Sequence, residues 1–253
     1  MTRIIAVVSG KGGAGKTTFV SNLGVALAAI NKNVIVLDAN LTTPNLGIHL
    51  GIPLYPVTLH DVLKGRAHIR DAIYDHDSGV KVIPAGISLR DLRGIDAKDL
   101  PTVLLDLLGS ADIILLDAAA GLGREALSAM EAADEILVVT NPDLPSVTDA
   151  LKAMKLAEQL GTKTLGVVIN RVRNEKHEMK RMEIRAMLDT DMFFEIPEDI
   201  NVQRAISARI PVVYHKPNAK SSHAFRQIAA YLAGQRYYRP LAWHERLFSF
   251  ARR

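Results

Sequence analysis

Short runs of apolar residues alternate along this chain with longer stretches in which apolar positions recur every three or four residues. The runs are typical of buried parallel strands, and the stretches are typical of helices with one apolar face. Strands are predicted at 3–9, 33–38, 80–84, 112–117, 135–140, 163–169, 192–196 and 211–214. Helices are predicted at 16–30, 98–109, 122–133, 145–160, 175–188, 199–208 and 219–234, with short helices within 40–74. This alternation predicts an α/β fold, a doubly wound and mostly parallel sheet with helices on both faces.

The connection between the first strand and the first helix is rich in glycine and lysine. Glycines there let successive backbone N–H groups point at phosphate oxygens. Lys16 is expected to reach the β and γ phosphates, and the Thr17 hydroxyl is expected to bind Mg²⁺ at the positive end of the helix. We therefore predict a phosphate-binding loop whose nucleotide contacts are Gly10, Lys11, Gly12, Gly13, Ala14, Gly15, Lys16, Thr17 and Thr18.

A carboxylate ends the second predicted strand. Asp38 follows the apolar run 34–37 and is expected at the carboxyl edge, where doubly wound sheets bind their ligands. This position predicts that Asp38 is an outer ligand of the magnesium ion.

The phosphate loop carries a second lysine just after its first glycine. Lys11 and Lys16 together give the pattern Lys-Gly-Gly-x-Gly-Lys-Thr-Thr. In this respect the sequence resembles the MinD/ParA family of deviant Walker A ATPases, and within it the MinD-type proteins. The resemblance implies a P-loop NTPase fold of the deviant Walker A type with ATP and Mg²⁺ as cofactors. It also implies that Lys11 reaches the nucleotide of a partner subunit, so that ATP drives formation of a homodimer.

Later segments resemble further motifs of that family in the same order. Asp117 and the residues after it are similar to the Walker B strand and second switch, which implies that Asp117 holds a magnesium-bound water and that the Gly121 amide meets the γ phosphate. Asn170 and Arg171 resemble the adenine-binding pair, and the segment 196–199, with Pro197 and Asp199, resembles the loop on the other side of the base. From the residues alone, a structural asparagine or a helix N-cap is an equal alternative.

The segment 39–47 resembles the first switch of the family, with one departure. In the best-known members a second aspartate stands two residues after the position of Asp38, and here that residue is Asn40. An amide holds a water molecule but accepts no proton, so any general-base contribution is lost. The catalytic residues are therefore predicted to be Lys11, Lys16, Asp38 and Asn40. Slow hydrolysis is expected, with complete inactivity as the alternative.

Composition excludes several classes of protein. The chain has 253 residues, is 48% apolar and contains no cysteine. Its size suits one ATPase domain, which we predict at 1–235. Relatives in the same superfamily that carry an iron–sulfur cluster need thiolate ligands, so the lack of cysteine excludes them. The first strand begins almost at residue 1, so no signal peptide is expected, and no apolar run is long enough to cross a bilayer. A cytoplasmic protein is expected.

The basic residues concentrate at the end of the chain. The net charge is +4, and residues 236–253 alone carry +4, from five arginines and one glutamate. The body of the chain is therefore neutral, which disfavours DNA as a partner because nonspecific DNA binding needs basic residues spread over the folded surface.

The segment 236–253 is predicted to be a basic amphipathic tail. Trp243, Leu247 and Phe250 recur at helical spacing, and Phe248 widens the apolar stripe. With Arg246, Arg252 and Arg253 beside them, these residues fit a helix in the headgroup region of an anionic bilayer. The alternatives are a final helix docked on the body and a contact with a partner protein.

These features together predict a MinD-like ATPase at the inner face of the cell membrane. ATP-dependent dimerisation would drive reversible membrane association and position cellular machinery, such as a division site or a surface appendage, with an activating or cargo protein that the sequence does not identify. A hydrolysis-poor, ATP-binding membrane scaffold and a ParA-type DNA segregation ATPase are the alternatives.

Overall fold

The computed structural model describes residues 2–52, 54–88, 90–190 and 192–238. Within these residues the chain forms a sheet of eight strands in the order β3-β4-β2-β5-β1-β6-β7-β8. The strands are β1 Arg3–Val8, β2 Val34–Ala39, β3 Tyr74–Asp75, β4 Lys81–Ile83, β5 Ile113–Ala118, β6 Glu135–Thr140, β7 Lys163–Val172 and β8 Phe193–Pro197. All neighbouring pairs are parallel except β3 with β4.

Helices cover both faces of this sheet. They are α1 Lys16–Ala28, α2 Leu46–His49, α3 Leu59–Leu63, α4 Leu100–Leu104, α5 Arg124–Glu131, α6 Leu144–Gln159, α7 Arg181–Leu188, α8 Ile200–Ser207, α9 Val212–His215 and α10 Lys220–Leu232. Short 3₁₀ turns lie at Ile69–Ala72, Ala97–Asp99 and Leu105–Leu107.

Strand β1 shows why both faces are covered. Ile4, Ala6 and Val8 are buried in a core beneath α3 to α7, whereas Ile5 and Val7 are buried in a second core with α1, α8, α9 and α10. A strand buried on both faces is apolar at nearly every position, as the sequence pattern indicated. The predicted doubly wound α/β fold is confirmed.

Three element predictions are wrong. The segment 211–214 is not a strand but the short helix α9, because the N–H groups of Tyr214 and His215 bond to the carbonyl of Pro211. The helix predicted at 175–188 begins only at Arg181, and the helix predicted at 98–109 is an α-helical turn between two 3₁₀ turns.

The two-residue strand β3 was not predicted at all. It pairs antiparallel with β4 at the edge of the sheet. A pair of residues is too short to show a period, so only the tertiary pairing defines this strand.

Candidate nucleotide-binding site

The phosphate loop connects β1 to α1 at the carboxyl edge of the sheet. Gly13 and Gly15 have φ angles of 81° and 96°, in the region that side chains disfavour. Gly10 is required for a different reason, because a Cβ there would overlap the backbone carbonyl of Asp149 in α6. The loop is therefore pressed against a helix far away in the sequence.

The two lysines of the loop have opposite environments. The Lys16 side chain is buried, and its Nζ donates to the Ser9 Oγ at 2.9 Å. The Ser9 hydroxyl donates to the Lys11 carbonyl at 2.7 Å, which closes the loop around the Lys16 ammonium. Burial lowers the pKa of Lys16, and the charge of Asp117 partly opposes this. Lys11, by contrast, is exposed.

Asp38 is buried at the end of β2 and holds the first switch loop. Its Oδ1 accepts from the Asn40 N–H at 3.2 Å, and its Oδ2 accepts from the N–H groups of Asn45 and Leu46 at 3.0 and 2.9 Å. Burial and the nearby charge of Asp117 raise the pKa of Asp38 well above the ordinary range, although the three hydrogen bonds act to lower it. The carboxylate thus ties both ends of the loop to the sheet, which the sequence did not predict.

Asp117, at the end of β5, has different surroundings from Asp38. Both carboxylate oxygens are buried, and neither has a hydrogen-bond partner of normal geometry within the described part of the chain. Burial raises the pKa of Asp117 to about 6, although the Thr17 hydroxyl and the Lys16 charge oppose the rise. A buried carboxylate left without partners is the group that a cation or a cation-bound water would satisfy.

The predicted magnesium ligands are brought together. Asp38 and Asp117 are register partners on β2 and β5, and Thr17 interacts with Asp117. No cluster of three or more acidic, histidine or cysteine side chains suited to a metal occurs in the described ranges. The set fits Mg²⁺ nevertheless, because this ion is commonly held by one or two carboxylates together with the phosphates of the nucleotide.

The side chain of Asn40 is engaged within its own loop. Its Nδ2 donates to the Thr43 carbonyl at 2.7 Å, and its Oδ1 accepts from the Thr43 N–H and hydroxyl, each at 3.2 Å. Both ends of the amide are therefore used by the protein in this conformation.

The second switch follows β5 and lies against the phosphate loop. Gly121, with φ 79°, donates its N–H to the Ser9 carbonyl at 3.2 Å. This bond places the Gly121 amide at the phosphate loop, and its contact with the γ phosphate stays a prediction.

The predicted base-binding residues line one cavity beside the phosphate loop. The cavity has a volume of about 190 Å³ and brings segments 170–173 and 196–199 against Gly15 and Thr18. The Asn170 Nδ2 donates to the Ala14 carbonyl at 2.8 Å, so part of its amide binds the loop rather than a base. Arg171 is exposed and has a φ of 58°, at a register shift between β7 and β8.

Asp199 lies in the same cavity wall, but its carboxylate bonds to the protein. It accepts from the N–H and Nδ2 of Asn201 at 2.9 and 2.8 Å, and from the N–H and hydroxyl of Ser221 at 3.2 and 2.9 Å. Burial alone would raise the pKa of Asp199, but these bonds outweigh burial and lower it. The N-cap alternative describes this side chain, which caps α8 and joins it to α10.

Several cavity-lining residues were missed from the sequence. Val202, Gln203 and Ile206 come from α8, and Phe225 comes from α10, where it packs against Phe19 with ring centroids 5.9 Å apart. No local motif marks these positions in the sequence.

Comparisons with known proteins agree with this geometry. The family model described as "ParA: NUBPL iron-transfer P-loop NTPase" matches residues 1–233. The septum site-determining protein MinD of Thermotoga maritima is 32% identical, over 93% of this chain and 89% of its own length. The chain belongs to the MinD/ParA family of P-loop ATPases. ATP and Mg²⁺ are the usual cofactors of that family.

Two archaeal members of the MinD/ParA family are more similar. An uncharacterized ATP-binding protein of Methanocaldococcus jannaschii is 42% identical, over 94% of this chain and 90% of its own length. The structure of MinD from Pyrococcus horikoshii, complexed with Mg-ADP, is 37% identical and covers 92% of this chain and 96% of its own, with a TM-score of 0.89.

The predicted tail lies almost wholly outside the described residues, which end at 238. This applies to Trp243, Arg246, Leu247, Phe248, Phe250, Arg252 and Arg253. Within the described ranges, no helix is both long and apolar enough to span a membrane.

Proposed function

We propose that this protein is a MinD-like ATPase, in which binding of ATP with Mg²⁺ pairs two copies and hydrolysis separates them. The contrast between the two lysines of the loop carries the proposal. Lys16 is buried inside the loop, where it would neutralise the phosphates of its own nucleotide, whereas Lys11 is exposed and free to reach a second subunit.

The remaining site residues have the chemistry that phosphoryl transfer requires. Thr17, Asp38 and Asp117 would hold Mg²⁺, which when bound neutralises charge on the β and γ phosphates. The backbone of residues 10–18 would bind the phosphates at the N-terminus of α1, with the cavity between Asn170 and Pro197 receiving the base. Positioning and charge neutralisation are the main sources of catalysis in this reaction.

Hydrolysis is proposed to be slow. Asn40 cannot accept a proton from the attacking water, and both ends of its amide bond to Thr43. The same observation supports a second candidate, a scaffold that binds ATP and hydrolyses it negligibly. A turnover assay with Mg²⁺ separates the two.

Membrane association is proposed to follow from dimerisation through the tail 236–253, with the protein otherwise in the cytoplasm. Each arginine near an anionic surface contributes about 1 kcal/mol, so one short tail binds marginally. Two tails on one dimer gain roughly 10²- to 10⁴-fold in avidity. The ATP-loaded dimer would thus occupy the membrane, position its cargo protein there and leave after hydrolysis.

Size-exclusion chromatography with ATP, ADP or no nucleotide tests the dimer. The wild-type chain is expected to dimerise with ATP and Mg²⁺ only, and Lys11→Ala is expected to remain monomeric while still binding ATP. Lys163→Ala, which removes an exposed lysine at the start of β7, is the matched control and should dimerise normally. A wild-type chain that stays monomeric when loaded, or a Lys11→Ala variant that dimerises, would refute the proposal.

Liposome sedimentation tests the tail. The full chain should bind vesicles containing anionic lipid in the presence of ATP, and a chain truncated after Gln235 should dimerise but not sediment. Binding that survives the truncation would refute the role of the tail. Filter binding with duplex DNA provides the test of the DNA-segregation alternative.

A further inference from the structure

The first switch loop is joined to helix α5 by one pair of residues. Both oxygens of the Glu125 carboxylate accept from Thr42: Oε2 from the backbone N–H at 3.2 Å, and Oε1 from the hydroxyl in a short hydrogen bond. Hydrogen bonds to an ionised acceptor are stronger than neutral ones, and two bonds to one residue fix orientation as well as distance. This contact is not part of any motif in the sequence.

The contact restrains a loop that is otherwise exposed. Thr42 and Thr43 are exposed, and Asp38 holds only the beginning and end of the loop. Asn40 is bonded to Thr43, so a restraint on Thr42 between them also restrains the Asn40 amide.

The contact also joins two segments that are separate in sequence. Glu125 lies in the first turn of α5, which directly follows the second switch at 118–123. A cavity of about 270 Å³ lies between the two switches and is lined on one side by Asn40 and Thr42, and on the other by Ala119, Ala120 and Gly123. Thr42 and Glu125 both line this cavity.

We propose that Glu125 is a positioning residue that acts through Thr42 to hold Asn40 at this cavity and makes the two switches move together during turnover. Glu125 does not line the base cavity. The inference rests on the proposed ATPase function.

A double-mutant cycle on turnover tests the pair. Glu125→Ala and Thr42→Val should each lower kcat roughly tenfold with ATP affinity nearly unchanged, because misplacement of a positioned group affects the chemical step. The double variant should lose no more than either single variant, since both remove one interaction. Thr42→Ser keeps the hydroxyl and should retain most of the rate, whereas Glu125→Gln keeps only one of the two acceptor oxygens and should give a rate between those of the wild type and Glu125→Ala. Single variants with the wild-type kcat would overturn the proposal. So would a double variant in which the two losses of kcat multiply.

Hydrogen exchange separates this inference from the ATPase function. In Glu125→Ala the amides of 41–46 and of 118–124 should exchange faster than in the wild type, without nucleotide and without turnover. If the wild type binds ATP but does not hydrolyse it, the catalytic function fails while faster exchange in both segments still supports the coupling. If the amides of either segment in Glu125→Ala exchange at the wild-type rate, the proposed coupling of the two switches is overturned.

Discussion

Asp38 and Asp117 lie side by side at the carboxyl ends of β2 and β5, and both are buried. Among the described residues, Asp38 accepts three backbone hydrogen bonds, whereas Asp117 accepts none of normal geometry. Three backbone N–H groups stabilise the Asp38 carboxylate, whereas Asp117 depends on the Lys16 charge and the Thr17 hydroxyl. Two buried carboxylates this close do not ionise together without compensation. The pair therefore favours a proton on Asp117 at the position where Mg²⁺ would bind.

This pair predicts a pH dependence of stability. The pKa of Asp117 is raised from 3.8 to about 6 in the folded protein. Its favourable contribution to the free energy of unfolding is therefore fully present below pH 3.8 and is lost as the pH rises through about 6. Relative to Asp117→Asn, the free energy of unfolding of the wild type should fall across this interval by at most about 3 kcal/mol. Urea unfolding without nucleotide, at pH values from 4 to 7, measures the difference, and a constant difference would contradict the prediction.

Asn40→Asp should raise the rate of ATP hydrolysis by about tenfold, below the roughly 10²- to 10⁴-fold of a well-placed general base. The gain is limited because a carboxylate cannot donate to the Thr43 carbonyl, as the Asn40 Nδ2 does at 2.7 Å. Steady-state phosphate release measures the rate. Asn40→Ala is the control and should not exceed the wild type; an unchanged rate in Asn40→Asp would show that this position does not limit hydrolysis.

Gly10→Ala should destabilise the protein by about 1–3 kcal/mol, because the added Cβ overlaps the Asp149 backbone and forces the loop away from α6. Gly12→Ala is the matched control in the same loop. Among the described residues its Cβ would meet the Ala120 Cβ alone, at 3.8 Å, so its cost should stay within about 0.5 kcal/mol. Urea unfolding without nucleotide measures the loss in free energy of unfolding for each variant. Equal losses in the two variants would count against the packing argument.

Asp199→Ala should destabilise the protein by about 1–2 kcal/mol through loss of the α8 cap, with the link to Ser221 lost as well. The pKa of Asp199 is lowered in the folded protein. Its contribution to the free energy of unfolding is therefore present at neutral pH and is lost as the pH falls below 3.8 and passes the lowered pKa of the folded state. Thermal unfolding at pH 7 and at pH 3 measures both effects. Asp77→Ala, at an exposed turn, is the control and should have little effect.

The sequence alone predicted the features that are local along the chain. The alternation of apolar runs and helical periods identified the sheet and most helices, because a strand covered on both faces is apolar throughout. The phosphate loop was equally evident, since its glycines, Lys16 and Thr17 act within one continuous turn. Asp38 and Asp117 were found because each ends an apolar run.

Tertiary structure decided how these local features are joined. The closeness of Gly10 to Asp149, the bond from Asn170 to the Ala14 carbonyl and the pair of Thr42 with Glu125 all connect positions far apart in sequence. The bond from the Ser221 hydroxyl of α10 to the Asp199 carboxylate, and the bond from the Val213 N–H to the Asn22 side chain of α1, likewise join positions far apart in sequence. A local pattern records which face of an element is apolar, but a hydrogen bond between two elements exists only once packing has placed both partners within reach.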